Sequence, residues 1–369
     1  MLVVNAGSSS LKLGVLERER SLASVSMAWD TPVVDEAALA DFVARWSPID
    51  ASGHRIVHGG TRYCEPVIVD RSVRQGLEEL QDLAPLHQPK SLAALDAVIR
   101  VLPGVPAVAC FDTAFHSQMP ESASTYALPA AWRHKWHLRR YGFHGLAHRY
   151  VATRVADLIG SKGPGIRVVT CHLGAGASLA AVAKGRSVDT TMGFTPMEGL
   201  VMATRSGSVD PGLLLWLEQH CKIDPSDLAD SLEHRSGLLG LSGHARMEDV
   251  LAAEADGEAS AGLAVAVYLH RLRAGIAQMA AAMGGLEAIA FSGGIGEGAP
   301  QIRSRAADGL EFLGIALDPG RNATGAGDRE IGVPGAVVRS FVIQAKEDVE
   351  IARGVGGALG WNLESAPLA

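Results

Sequence analysis

The sequence predicts an α/β protein, built as two domains or as one large unit. The chain has 369 residues, 47% of them hydrophobic, which is too long for one ordinary core and apolar enough to build two. Short apolar strands alternate with stretches of helical spacing along it. One pattern, strand then Gly/Ser turn then strand, occurs at residues 2–15 and again at 167–182.

The elements follow in order. Leu2 to Val4 is an apolar run; Asn5, Gly7 and three serines (Ser8, Ser9, Ser10) make a polar turn. Leu11, Leu13 and Val15 then alternate with Lys12 and Gly14, which is strand spacing. A turn of small residues presents N–H groups and hydroxyls to phosphate oxygens; an ordinary hairpin is the alternative. Asp35–Trp46 places Leu39, Phe42, Val43 and Trp46 at helical spacing. Gly53 to Gly60 (Gly-His-Arg-Ile-Val-His-Gly-Gly) puts Arg55 and two histidines beside a strand at Ile56–Val57. A helix is expected around Val73–Leu83, and Pro85 and Pro89 then bracket His87 in a rigid loop. Ser91 is the expected cap of the next helix, with Leu92, Leu95, Val98, Ile99 and Leu102 as its buried stripe. The strand Val105–Cys110 delivers Asp112, just past the carboxyl end of a buried strand, where metal or catalytic groups commonly sit; a helix N-cap is the alternative.

Tyr141–His148 places His144 between an aromatic and a glycine, and a packed histidine is the alternative there. After a helix at Leu146–Ile159 and a break at 160–165, the opening pattern returns. The strand ending at His172, a turn with Gly174 and Gly176, and a strand at Leu179–Val182 make a second hairpin. Asp189–Pro211 is a long polar loop containing Arg205, and long ordered loops are usually functional. A helix at Gly212–Cys221, a glycine-rich turn region at Ser236–Gly243 and a long helix at Glu258–Met283 follow. The strand Leu286–Phe291 ends in Ser292, Gly293, Gly294, Ile295 and Gly296, where the glycine pair permits close approach of a flat ligand such as adenine. A last strand at Val337–Ile343, a helix towards Val355 and a loose tail at Trp361–Ala369 complete the chain.

The formal net charge of −7 argues against a nucleic-acid partner held by phosphate contacts. Cys64, Cys110, Cys171 and Cys221 lack metal or redox spacing and read as free thiols of a reducing compartment. There is no basic-then-apolar leader and no apolar run of about 18 residues, so the expectation is a cytoplasmic protein with no membrane partner.

Asn5–Lys12, Gly53–Gly60, Ala84–His87, Phe111–His116, Tyr141–Gly145, Gly193–Pro196 and Thr204–Gly207, taken as a set, resemble the successive signatures of the acetate kinase family. The resemblance implies a two-lobed actin-like ATPase (ribonuclease H-like) fold with a mixed sheet flanked by helices in each lobe, shared with actin, hexokinase and Hsp70. It implies a first lobe of residues 1–113 plus 349–369 and a second of 114–348. It further implies reversible transfer of a phosphoryl group from ATP to acetate by direct in-line attack, with Mg2+ (or Mn2+) as cofactor, ATP/ADP as co-substrate and a homodimer as the assembly. At matching positions, Asn5 and Asp112 would lie near the metal, with Glu347 acting on it through water. Ser8, Ser10 and Lys12 would serve one phosphate side, and Gly174, Gly176, Gly293, Gly294 and Gly296 the nucleotide side. Arg55 and Arg205 would contact carboxylate or phosphoryl oxygens. His87, His144 and His172 would surround the phosphoryl, His144 nearest the transition state. Val57, Leu86, Phe143 and Pro196 would form the acyl pocket.

A carboxylate nucleophile is already ionised at pH 7, its pKa being about 4–5, so no general base is assigned to Asp112. The obstacle is repulsion between two anions, which calls for converging cations. The chain departs from the family pattern at Ala175, at Gly298, in a shortened stretch after Gly243, at Ala203 and at Gln88. The first three bear on the phosphoryl donor, and pyrophosphate or phosphate is the alternative to ATP. Propionate or another short acid is the alternative acceptor. A nucleotide-gated interaction protein like actin or Hsp70 is the alternative of a different class.

Overall fold

Two six-stranded mixed sheets carry the chain. In this computed structural model residues 1–7, 10–29, 33–85, 87–160 and 165–361 are described. Ser8, Leu86 and the tail after Trp361 lie outside the described residues. The first sheet comprises β1 (Leu2–Ala6), β2 (Ser10–Glu17), β3 (Arg20–Ala28), β4 (Ser52–Ile56), β5 (Val67–Ile68) and β6 (Ala107–Phe111), in the order β3-β2-β1-β4-β6-β5. The second comprises β7 (Arg167–Leu173), β8 (Ala177–Ala183), β9 (Arg186–Thr190), β10 (Ala288–Ser292), β11 (Arg329–Glu330) and β12 (Arg339–Val342), in the order β11-β12-β10-β7-β8-β9. Each sheet is an antiparallel meander joined to two parallel strands and closed by a short antiparallel edge strand.

The chain divides into two compact units. The first holds Met1–Ser117, His144–Tyr150 and the chain from Lys346 onward; the second holds Gln118–Phe143 and Val151–Ala345. Residues 144–150, expected in the second lobe, thus group with the first, where the Gly145 N–H donates to the Asp112 carbonyl at 2.9 Å.

In the first unit, strand alternation sorts side chains to two faces. Leu2, Val4, Ala6, Leu11, Leu13 and Val15 point one way into a core with Leu39, Val43, Ala94, Ala97 and Val98 of two helices. The opposite face receives the helix Glu347–Leu359. A Cβ on Gly53 would come within 2.6 Å of Ile351 and Val355, so glycine is what lets that helix lie against β4. In the second unit, the helix Ala259–Ala282 buries Val265, Tyr268, Leu272, Ile276 and Met279 along one side.

Several expectations change. β3 and β9 are strands that the spacing did not reveal. Ser91 is no cap; the helix runs Gln88–Val101 with Ser91 buried inside it, and Ile99 of the expected stripe is exposed. Ser236–Gly243 is not a turn region but a short helix, Gly237–Ser242, closed by Gly243 in the left-handed conformation. The expected helix at Val73–Leu83 is two pieces, Arg71–Glu78 and a single turn at Gln81–Leu83. Gln88 has a structural role: its amide accepts from the His58 N–H and donates to the His58 and Leu77 carbonyls.

Candidate functional site

Three parallel strands of the first sheet end beside one another, and each has a polar residue one position from its end. Asn5, next to last in β1, lies on the face opposite the core, paired with Lys12, its cross-strand partner on β2. Arg55 sits on β4 on the same side as Gly53, and Asp112 follows β6 on the same side as Cys110. A period of two therefore places Asn5, Arg55 and Asp112 on the face that the helix Glu347–Leu359 covers, and Glu347 is that helix's first residue.

These side chains form one network. The Arg55 guanidinium donates from Nε to both Asp112 carboxylate oxygens at 3.0 and 3.1 Å, and from Nη2 to Oδ2 at 2.5 Å. Its Nη1 donates to Asn5 Oδ1 at 3.2 Å, and Asn5 Nδ2 donates to Glu347 Oε2 at 2.6 Å. Arginine has five N–H donors, so these bonds do not exhaust it. Burial works against the Arg55 charge, but Asp112 and Glu347 outweigh it and its pKa rises. Burial pushes the Asp112 carboxyl up, while Arg55 and the His144 backbone N–H pull it back. A forked pair of this kind is held as ions by its hydrogen bonds.

Asp112 does not cap a helix. Its carboxylate turns to Arg55, and the following single helical turn, Ala114–His116, has no side-chain cap. Instead Asp112 holds the turn at His144: its carboxylate accepts from the His144 N–H and its carbonyl from the Gly145 N–H. His144 has φ of +55°, uncommon for a residue with a side chain, and its carbonyl accepts from the His148 N–H to start the helix Gly145–Ile159. A second tie joins the helices beyond: Arg149 pairs with buried Glu350 at 3.0 Å, and Arg353 pairs with Glu350 and Glu19. Sequence spacing held no sign of the Arg149–Glu350 pair.

The second unit holds the remaining candidates. His172, next to last in β7, lies opposite Ser292 of β10, Nδ1 being 3.4 Å from the serine hydroxyl. In the turn after β7, the Gly174 N–H donates to the Gly176 carbonyl, and the Ala175 carbonyl accepts from the Ala203 N–H. The glycine pair after β10 opens a helix, Gly293–Gly298. Gly293 has φ of +77°, and a Cβ there would come within 2.7 Å of the Leu173 carbonyl oxygen. At Gly294, by contrast, a Cβ would meet nothing within 4 Å. Glu297 accepts from the N–H groups of Gly293 and Ala345. Arg303, 1% exposed, donates to the carbonyls of Gly296, Glu297 and Asn322. Burial, with Arg329 nearby, draws its pKa down to about 10. Arg303 carries no motif signal in the short helix Pro300–Ala307, which also holds Arg305.

Arg205 donates to the Pro196 carbonyl at 3.3 Å and lies 3.6 Å from Glu233. Phe143 in this unit and Val57 in the first are buried. Ser10 opens β2, and His87 is half-buried before the helix Gln88–Val101.

The donor set suits a hard cation. Asn5, Asp112 and Glu347 offer one amide and two carboxylate oxygens, and Mg2+ takes one or two carboxylates and completes its shell with water and phosphate. Among the described residues no group of three or more His, Cys, Asp or Glu could hold a metal. No helix among them is long and apolar enough to cross a membrane.

A family model described as the acetokinase family matches residues 33–353. The acetate kinase of Leifsonia xyli is 42% identical, over 96% of this chain and 97% of its own. The crystal structure of Porphyromonas gingivalis acetate kinase matches with a TM-score of 0.88 at 34% identity, covering 97% of this chain and 99% of that one. A propionate kinase from Francisella tularensis matches with a TM-score of 0.89 at 32% identity, covering 96% and 98%.

Proposed function

The chain belongs to the acetokinase family, and we propose that it transfers a phosphoryl group reversibly between ATP and acetate, giving acetyl phosphate and ADP. The observation that carries this reading is the row Asn5, Arg55, Asp112 and Glu347 at the carboxyl end of one sheet. A carboxylate oxygen of acetate attacks the terminal phosphorus as the bond to the bridging oxygen breaks, and the electron pair leaves with ADP. Acetate is ionised at neutral pH, with a pKa of about 4–5, so no proton moves. The protein's task is to position two anions and offset their repulsion.

Asp112 then acts through its contacts, holding the Arg55 fork and the His144 turn. Arg55 and Arg205 supply forked donors to carboxylate or phosphoryl oxygens, and His144 hydrogen-bonds the phosphoryl near the transition state. Asn5, Asp112 and Glu347 would hold Mg2+ (or Mn2+), which supplies charge neutralisation to the phosphate oxygens when bound. On the family pattern, Val57, Leu86, Phe143 and Pro196 are assigned to the acyl methyl group. Ser8, Ser10 and Lys12 serve phosphate oxygens, with His172, Gly174, Gly176, Gly293, Gly294 and Gly296 on the nucleotide side. The open space beside Gly294 supports that side as the place where a ligand approaches closely.

The reading includes a homodimer in the cytoplasm, the assembly being testable by light scattering. Propionate is the second acceptor, favoured by the likeness to a propionate kinase. Trapping acyl phosphate with hydroxylamine, across ATP, GTP and pyrophosphate and a series of acids, tests the whole. Acetate with ATP should dominate. Product with pyrophosphate alone overturns the donor, and no product with any pair overturns the activity.

A further inference from the structure

We infer that Glu198, with Tyr126 and Arg140, is a positioning residue that sets the selectivity of the acyl site by holding the turn Gly193–Pro196. This rests on the reading above that Pro196 borders the acyl methyl group and Arg205 its charged end.

The segment from Thr191 to Val209 has no regular secondary structure apart from its own turns, so its shape must come from side chains and distant backbone. The Glu198 carboxylate is the hub. Its Oε1 accepts from Arg140 Nη2 at 2.7 Å and its Oε2 from the Tyr126 hydroxyl at 2.5 Å. Each donor then reaches the turn itself. Arg140 Nη1 donates to the carbonyls of Thr191 and Met192, both at 3.1 Å. The Tyr126 oxygen accepts from the Phe194 N–H at 2.9 Å. The Arg140 guanidinium also lies over the Tyr126 ring, 5.5 Å from its centroid.

The turn is therefore gripped on both sides of Gly193, whose carbonyl accepts from the N–H groups of Tyr141 and Gly142. A Cβ on Gly193 would fall 1.8 Å from Glu198 Oε2 and 2.3 Å from the Tyr126 oxygen. The carboxylate thus occupies the space a side chain would need, and the turn can lie this close only because residue 193 is glycine. Burial and the bond to Glu198 keep the Tyr126 phenol protonated, its pKa well above the ordinary range, so its one proton stays committed to Glu198 and its lone pair to Phe194.

Two residues beyond the gripped N–H, the Pro196 carbonyl accepts from Arg205. Pro196 and Arg205 hence share one backbone whose position Glu198 sets. A shift of about 1 Å in such a group can cost up to about 100-fold in rate, and the acyl side should feel it before the nucleotide side.

The test compares Glu198→Ala, Glu198→Gln and Tyr126→Phe by steady-state kinetics with acetate, propionate and butyrate, and by hydrogen exchange at the Phe194 amide. Glu198→Ala should raise the KM for acetate about tenfold and bring kcat/KM for propionate closer to that for acetate. The nucleotide KM should stay within about twofold, and Phe194 exchange should quicken. Glu198→Gln keeps one acceptor and should restore part of the acetate KM; Tyr126→Phe spares the Arg140 pair and should do less harm than Glu198→Ala. Unchanged acetate KM and acid preference in a folded variant whose Phe194 amide exchanges faster would overturn the inference, as would equal rises in both KM values. Unchanged exchange would overturn the network itself. Failure of the wild-type chain to form any acyl phosphate would instead refute the acyl-site reading on which the inference depends.

Discussion

In the first sheet, the residues at the site end of the parallel strands are Asn5, Arg55 and Asp112. In the second sheet, the same steps of register lead to His172, Ser292 and Ala345. The two sheets share a strand order and a hairpin, yet one end is ionic and the other carries a histidine, a serine and an alanine. The first is locked by side chains: the Arg55 fork joins three strands, and Glu347 joins the helix that covers them. The second is locked by backbone, through the left-handed Gly293, the Gly174–Gly176 bond and carbonyls held by Arg303. Glu297 shows the substitution directly: its carboxylate binds the N–H of Ala345, at the position Asp112 holds in the other sheet. An ionic end is suited to charge in flight, and a backbone end to the flat, uncharged and phosphate-bearing parts of a ligand.

That contrast can be broken most severely at Asp112. Asp112→Asn should lower kcat/KM for acetyl phosphate formation by about 10²–10³-fold, because it unseats both Arg55 and the His144 turn. Activity within tenfold of wild type would mean that the ionic end does no charge handling.

The backbone end should respond in stability instead. Gly293→Ala forces a side chain into a positive-φ position against the Leu173 carbonyl, and should cost about 1–3 kcal/mol in chemical denaturation. An unfolding midpoint equal to wild type would show that the turn relaxes freely.

Acid should single out the first unit. Burial lowers His54 to about 3 and His58 to about 4. Unfolded histidine takes a proton near 6.5 while the folded ones do not, so protonation favours unfolding as pH drops below about 6.5. Stability is full above that pH and falls towards 4, by up to about 1.4 kcal/mol per pH unit for each histidine. In the second unit burial drives the Cys171 thiol and the Tyr268 phenol upward, away from this range. A melting temperature flat from pH 7.5 to 5 would contradict this.

The smallest effect is the sharpest comparison. Gly294→Ala, one residue from Gly293, should change stability by no more than about 0.5 kcal/mol, since a Cβ there meets nothing. It should raise the nucleotide KM several-fold and leave the acetate KM alone. An unaltered nucleotide KM would remove Gly294 from the ligand side.

Both hairpins and most helices are legible in the sequence because their patterns are local. Leu11, Leu13 and Val15 alternate over a few residues, and the stripe of Leu92, Leu95 and Val98 repeats within one helix. β3 escapes notice because serine and alanine dilute its hydrophobic contrast, and Ser236–Gly243 misleads because its glycines suggest turns where Leu238, buried, anchors a helix. Asn5, Arg55 and Asp112 are visible as candidates through their motifs. The partners that orient them are less so, and Arg149–Glu350, Arg303–Asn322 and Tyr126–Glu198 show no spacing at all.

The sequence alone therefore determined both hairpins and the apolar strands that follow them, where polar residues fall near strand ends, and which family the chain resembles. Hydrophobic period and turn sterics act over a few residues, and a reader of the chain can follow them. Only the tertiary structure decided that Asn5 meets Glu347 across 342 positions, that Asp112 holds Arg55 and His144 rather than capping a helix, and that Glu198 fills the space beside Gly193. Those choices depend on how sheet and helix pack, and on the demand that every buried donor and charge find a partner, a condition that no local pattern records.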